Sequence, residues 1–210
     1  MAAIPRPGLR NLFDDSPTPH IAHPPHTHRR DYYLAADGSF RETGGGGLGV
    51  IIETRTGEPV ARLSVPDEMP NNNVAEYRAL HLGLDVLAAR AAPSARVGVL
   101  IDHDDLAANV NRAVLARGAT GYQTPRHFRV PEAARHHWRG IQARLRGFAE
   151  LRAARINSAE NPAHPLANTP QRYDHVNERL QAPFSPPESE RDAETEQVPP
   201  PSRADRHEES

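Results

Sequence analysis

The chain contains no cysteine, which excludes disulfides and thiolate metal ligands from any account of its stability or chemistry. It contains no lysine either, so all 25 of its basic residues are arginine. Arginine grips phosphate through a planar, bidentate fork, yet so uniform a bias is the ordinary mark of genomic base composition. No apolar run approaches the length of a membrane-spanning helix. The first residues lack the charged-then-apolar layout of a signal peptide. A soluble, cytoplasmic protein with no membrane partner is the expectation.

Hydrophobic periodicity is missing from both ends. Residues 1–29 repeat Pro and His without a hydrophobic period, as in Pro17-Thr18-Pro19-His20 and His23-Pro24-Pro25-His26. Residues 170–210 are rich in Pro, Ser, Arg and acidic residues, with almost no aliphatic side chain after Leu180. Segments of this kind bury too little apolar surface to offset the entropy of ordering. Both are expected to be disordered, which leaves 30–169 as one folded domain of a size at which a single core is normal. Charge divides the same way. Residues 171–210 carry ten acidic residues against five Arg, whereas 30–170 carry seventeen Arg against fifteen acidic residues. A mildly basic core suits contact with phosphate.

Within the core, 31–36 reads as a first strand running into Asp37-Gly38-Ser39. Gly44 to Gly47 leads into a β-branched strand over 48–54, a turn at 56–59 and an alternating strand over 60–65. Short connections make an antiparallel meander the economical arrangement. A polar break over 70–73 precedes a helix with Tyr77, Leu80, Leu84 and Leu87 on one face, ending near Ala92-Pro93. The apolar run 97–101 is a strand, and 104–116 is a second helix. Residues 119–131 are ambiguous. Pro131 is placed to open a third helix, running to about Gly147. A last strand over 149–156 and a helical turn over 163–168 complete the order β-β-β-α-β-α-α-β-α, an α/β fold with a mixed sheet covered by helices.

Three acidic residues occupy element ends in this layout. Asp37 follows the first strand, Glu76 opens the first long helix, and Asp102 follows the strand 97–101. Such places let a fold converge charges without burying them in its core. Hard divalent cations need oxygen ligands drawn from several parts of a chain, and a nucleic-acid or polyphosphate backbone is the natural substrate of such a site.

These residues, with Asn-Asn-x-Ala-Glu-Tyr-x-Ala-Leu at the helix start and Glu160-Asn161-Pro162-Ala163-His164-Pro165-Leu166-Ala167-Asn168 near the end, resemble the ribonuclease H family, in its reverse-transcriptase-like group. The resemblance covers about residues 31–168. It implies a ribonuclease H-like mixed five-stranded sheet flanked by helices. It also implies hydrolysis of the RNA strand of RNA/DNA hybrids with two Mg²⁺ ions, for which Mn²⁺ can substitute. By motif, Asp37, Glu76 and Asp102 match the first three metal ligands and catalytic residues, Asp37 being the bridging carboxylate. The fourth position, usually Asp, is His164. Imidazole suits transition cations better than Mg²⁺, so weaker Mg²⁺ binding and better use of Mn²⁺ are expected. Asn72 and Asn73 match the family's substrate-contacting amides, able to meet base edges in a shallow minor groove. Backbone groups near Gly38 and Ser39 are placed to reach a 2′-hydroxyl.

Other features have plainer readings. Gly44 to Gly47 lacks the ending of a phosphate-binding loop and reads as a hairpin turn. The cluster His20, His23, His26 and His28 lies in a Pro-rich head and reads as incidental rather than metal-binding. Asp104 and Asp105 read as caps of the second helix. His164 can be a metal ligand, a proton carrier or a surface residue of a degraded site. The segment Asn157-Ser158-Ala159 lacks the His or Arg that the family often places there, and His103 or His127 would have to compensate. A catalytically inactive nucleic-acid-binding module of the same fold is the alternative reading.

Overall fold

The computed structural model describes residues 7–21, 30–44, 46–118, 128–173 and 176–177. His23, His26, His28 and His127, the greater part of the ambiguous segment 119–131 and the tail from 178 lie outside the described residues, and so do the expectations made for them.

Five strands form one mixed sheet: β1 (Tyr32–Ser39), β2 (Gly47–Thr54), β3 (Pro59–Pro66), β4 (Arg96–Ile101) and β5 (Glu150–Arg155). Their spatial order is β3-β2-β1-β4-β5. The β1–β2 and β2–β3 pairs are antiparallel, and β1–β4 and β4–β5 are parallel. The central strand β1 is buried along its whole length, as a strand covered on both faces must be.

Helices α2 (Asn72–Ala88), α3 (Asp104–Gly118) and α4 (Arg135–Leu145) join the larger core. Leu34, Ala36, Val50 and Ile52 of the sheet meet Tyr77, Leu80, Leu84, Leu87, Trp138 and Ile141 there. The start of α2 differs from expectation. Asn71 accepts a hydrogen bond from Val74 N at 3.0 Å, and this cap draws Asn72 and Asn73 out of the polar break into the first turn. Pro131 does not open α4. It precedes a 3-10 turn, Glu132–Ala134, and α4 begins at Arg135.

The opposite face is covered by two short helices, α1 (Leu9–Asp15) and α5 (His164–Asn168). Tyr33, Ala35, Leu100, Ala154 and Ala163 pack there with Leu9 and Phe13 of α1. This corrects the expectation that 1–29 is disordered throughout. The Arg30 guanidinium lies 4.5 Å from the Phe13 ring centre, and Leu9 N donates to Glu53 Oε2 at 3.0 Å. Pro17 O then accepts from Arg155 N at 2.9 Å, and Pro19 O accepts from Asn111 Nδ2 at 3.0 Å. Two anchors one turn apart are too few to register as a hydrophobic period.

The folded part also runs past residue 169. Asn177 donates to Ser64 O at 2.7 Å and accepts from Ser64 N at 3.0 Å, so a side-chain amide pairs with the edge strand β3 as another strand would. No helix among the described residues is long and apolar enough to cross a membrane.

Candidate metal centre

Asp37 lies inside β1, paired with Gly49 of β2, rather than beyond the strand's end. Alternation puts it on the face covered by α5. Two glycines fix what can approach it. A Cβ at Gly49 would stand 2.3 Å from Ala163 O, so only glycine lets α5 cross β2 here. A Cβ at Gly38 would stand 2.1 Å from the Ala75 carbonyl carbon, so only glycine lets the first turn of α2 press against β1. The first close approach delivers His164, and the second delivers Glu76.

One ligand atom each from Asp37, Asp102 and His164 lie within 4.8 Å of one another. His164 Nδ1 is 3.3 Å from Asp37 Oδ2. Glu76 enters from the α2 side, its Oε2 accepting from Gly38 N at 3.3 Å. The carboxylates are not spared burial, contrary to what element ends suggest. Asp37 is 2% exposed and Glu76 5%, because β1 continues past Asp37 and α2 begins before Glu76. Burial first, then the Asp102 charge and a hydrogen bond with Asp102, push the Asp37 carboxyl up to about 8. Burial, then the charges of Asp102 and Asp37, hold Glu76 well above the usual carboxylate range, against the pull of the Gly38 N–H.

Asp37 Oδ2 and Asp102 Oδ1 are buried oxygens that receive no hydrogen bond. A pair of such oxygens facing a buried glutamate is costly to fold unless a proton or a cation completes it. Oxygen donors with one imidazole fit a divalent cation, and the donor set is compatible with Mg²⁺ or Mn²⁺.

Neighbours that the sequence did not single out hold the ligands in place. Ser158, in the segment that lacks His and Arg, donates from Oγ to Asp102 Oδ2 at 2.7 Å and stands 3.4 Å from His164 Nδ1. Asn161 is buried and donates to Ala36 O at 3.0 Å, pinning the approach to α5 onto β1. Asn168, one turn after His164, accepts from Ser39 Oγ at 2.6 Å and turns its Nδ2 to His164 Nε2. Nε2 is then the acceptor, and the ring proton sits on Nδ1, facing Asp37. Flipping the Asn168 amide reverses both bonds and frees the Nδ1 lone pair for a cation. Only spacing could have hinted at Asn168; nothing local marks Ser158.

The remaining site candidates divide. Gly38 and Ser39 are buried, and their polar groups are engaged by Glu76 and Asn168, so their contacts build the centre instead of facing outward. Asn72 and Asn73 are exposed beside it. Asn72 Oδ1 accepts from Phe40 N at 3.3 Å. His103 Nδ1 accepts from Leu106 N at 3.2 Å, so His103, not Asp104 or Asp105, caps α3. Its Nε2 therefore carries the proton and meets Asn73 Oδ1 at 3.1 Å. Asp104 pairs with Arg155, and Asp105 with Arg129 at 3.8 Å.

Protein-family models and the curated proteins gave no match to the chain. Solved structures did. The N-terminal ribonuclease H domain of a Mycobacterium tuberculosis protein matches at 23% identity and a TM-score of 0.51, over 65% of this chain and 95% of that one. A ribonuclease H1 from the halophilic archaeon Halobacterium salinarum matches at 19% and 0.50, over 68% and 98%. A foamy viral protease-reverse transcriptase in complex with RNA/DNA hybrid matches at 14% and 0.50, over 73% of this chain and 22% of that one. At such identities the likeness establishes the fold, which is ribonuclease H-like.

Proposed function

We propose that this protein is a divalent-cation-dependent endoribonuclease that hydrolyses the RNA strand of RNA/DNA hybrids. One observation carries the reading: on a ribonuclease H-like sheet, Asp37, Asp102 and His164 bring ligand atoms within 4.8 Å of one another, and two of the carboxylate oxygens are buried without a hydrogen bond. Fold alone would not suffice, since function belongs to the site.

Asp37, Glu76, Asp102 and His164 are the residues that would hold Mg²⁺ or Mn²⁺. Bound there, such ions supply Lewis-acid stabilisation of the phosphoryl group and a more acidic water. The chain's own groups do the positioning. The Gly38 N–H orients Glu76, Ser158 orients Asp102, and Asn168 selects the tautomer of His164. In the tautomer of this structure, His164 Nδ1–H lies 3.3 Å from Asp37 Oδ2 without forming a hydrogen bond to it. The exposed Asn72 and Asn73 amides lie on the rim of the centre, where they can donate to and accept from a minor groove.

The test is cleavage of a labelled RNA/DNA hybrid beside single-stranded RNA, duplex RNA and duplex DNA, in Mg²⁺ and in Mn²⁺, with Asp37→Asn in parallel. Hybrid-selective cutting that disappears in Asp37→Asn is the expected result. His164 at the fourth ligand position favours a second reading, a hybrid-binding module without turnover. Tight hybrid binding with no cutting in either metal would select it.

A further inference from the structure

Away from the carboxylates, α2 and α4 turn two histidines toward each other. His81 Nδ1 and His137 Nδ1 stand 3.4 Å apart, with the ring planes at 60°. Two imidazole nitrogens bound to one tetrahedral cation at about 2.0–2.1 Å lie about 3.3–3.4 Å from each other. The pair is therefore already at the spacing of a shared cation.

Two features show that the spacing is built. On its far side, His81 Nε2 faces Asp85 Oδ2 at 3.6 Å, and the other oxygen of Asp85 is held by Arg144. A carboxylate near the far nitrogen favours the ring proton there electrostatically, which leaves the Nδ1 lone pair on the side of His137. Gly140 of α4 provides the second. A Cβ at that position would stand 2.1 Å from His81 Nε2, so the ring reaches across α4 only because no side chain occupies it. Both imidazoles are also held below their ordinary pKa. Burial is the main cause for each, followed for His81 by the charges of His136 and Arg144 against Asp85, and for His137 by His81, Arg78 and His136. The neutral, ligating form is favoured.

We propose that His81 and His137 form a second metal site, a two-imidazole clip for a transition cation such as Zn²⁺ or Ni²⁺ that ties α4 to α2. Water completes the shell, since both rings are half-buried. Nitrogen donors select a different class of cation from the oxygen-rich centre. The clip nevertheless sits on the helix that carries Glu76. It does not depend on the hydrolase reading, and either can fail alone.

Trp138 provides a local reporter. It is the only tryptophan in the chain, follows His137 directly, and packs with Phe128 at 5.2 Å between ring centres. Ni²⁺ titrated into the full-length protein should quench Trp138 fluorescence saturably, and Zn²⁺ should relieve the quenching by competition. Quenching should vanish in His137→Ala, a change at a half-exposed position, and in His81→Gln, which keeps most of the ring's volume. It should persist in Asp37→Asn. Quenching that survives either histidine substitution, or disappears with Asp37→Asn, overturns the proposal. So does a wild-type protein whose Trp138 ignores Ni²⁺.

Discussion

The two faces of the sheet are built on different scales. One is closed by α2, α3 and α4, whose aliphatic and aromatic side chains make the larger core. The other is closed by the seven residues of α1 and the five of α5. The carboxylate centre lies where the thin cover ends, with α5 bringing His164 to Asp37 and α2 reaching around from the thick side with Glu76. A thick core can fix a strand in place, while a thin cover leaves room at the strand's end for charged ligands. The division also separates stability from chemistry, and substitutions can test that separation.

The largest effect belongs to chemistry. Asp37→Asn should lower hybrid cleavage by at least about 10²–10³-fold, the scale of losing one preorganised electrostatic group, while leaving the protein folded. Stability is tested next. Phe13→Ala on the thin face should cost about 3–5 kcal/mol, and Leu84→Ala on the thick face about 2–5 kcal/mol, both by denaturant unfolding. If Phe13→Ala cost almost nothing, α1 would not belong to the core and the comparison would collapse. Gly38→Ala joins the two faces. Its Cβ must displace the first turn of α2, so a stability loss of about 1–3 kcal/mol should accompany a loss of cleavage, as Glu76 moves with that turn. The mildest change is at Asn168. Asn168→Ala removes the amide oxygen that, once flipped, would take the Nε2 proton and leave Nδ1 to a cation, and should weaken cation affinity about 10–100-fold, read as a higher Mn²⁺ requirement with little change in melting. His164→Asp should shift the preference from Mn²⁺ toward Mg²⁺ in the same assay.

Legibility in the sequence follows the same division. Long periodic segments gave the thick face: Tyr77, Leu80, Leu84 and Leu87 mark α2, and the β-branched run 48–54 marks β2. The first four strands were readable as compact apolar or alternating runs, whereas Arg152 and Arg155 left β5 only weakly apolar, and the five-stranded mixed sheet rested on the family resemblance. The thin face was hard to read. Two side chains, Leu9 and Phe13, anchor α1, and their contacts with Arg30 and Glu53 are visible only after folding. At the centre, residue types and order pointed to Asp37, Glu76, Asp102 and His164, but not to their burial, which depends on how far β1 and α2 extend. The roles of Ser158 and Asn168 were not legible, since a hydroxyl or amide acquires a partner only in three dimensions. The cap of α3 was misread as Asp104 or Asp105 for the same reason: the bond from Leu106 N to His103 is a matter of rotamer.

The central claim is that the buried carboxylates are arranged for a cation, and melting against pH with and without Mn²⁺ tests it most directly. Asp37 has a folded pKa of about 8 against an ordinary 3.8. Between those values the folded chain keeps a proton that the unfolded chain has released, so without metal, stability should fall as pH rises from about 4 to about 8. Mn²⁺ should raise the melting temperature most near pH 8 and flatten that decline in the wild type. Asp37→Asn should show neither the decline due to this group nor the Mn²⁺ response. A wild-type melting curve indifferent to Mn²⁺ at pH 8, or an equal Mn²⁺ response in Asp37→Asn, would contradict the account.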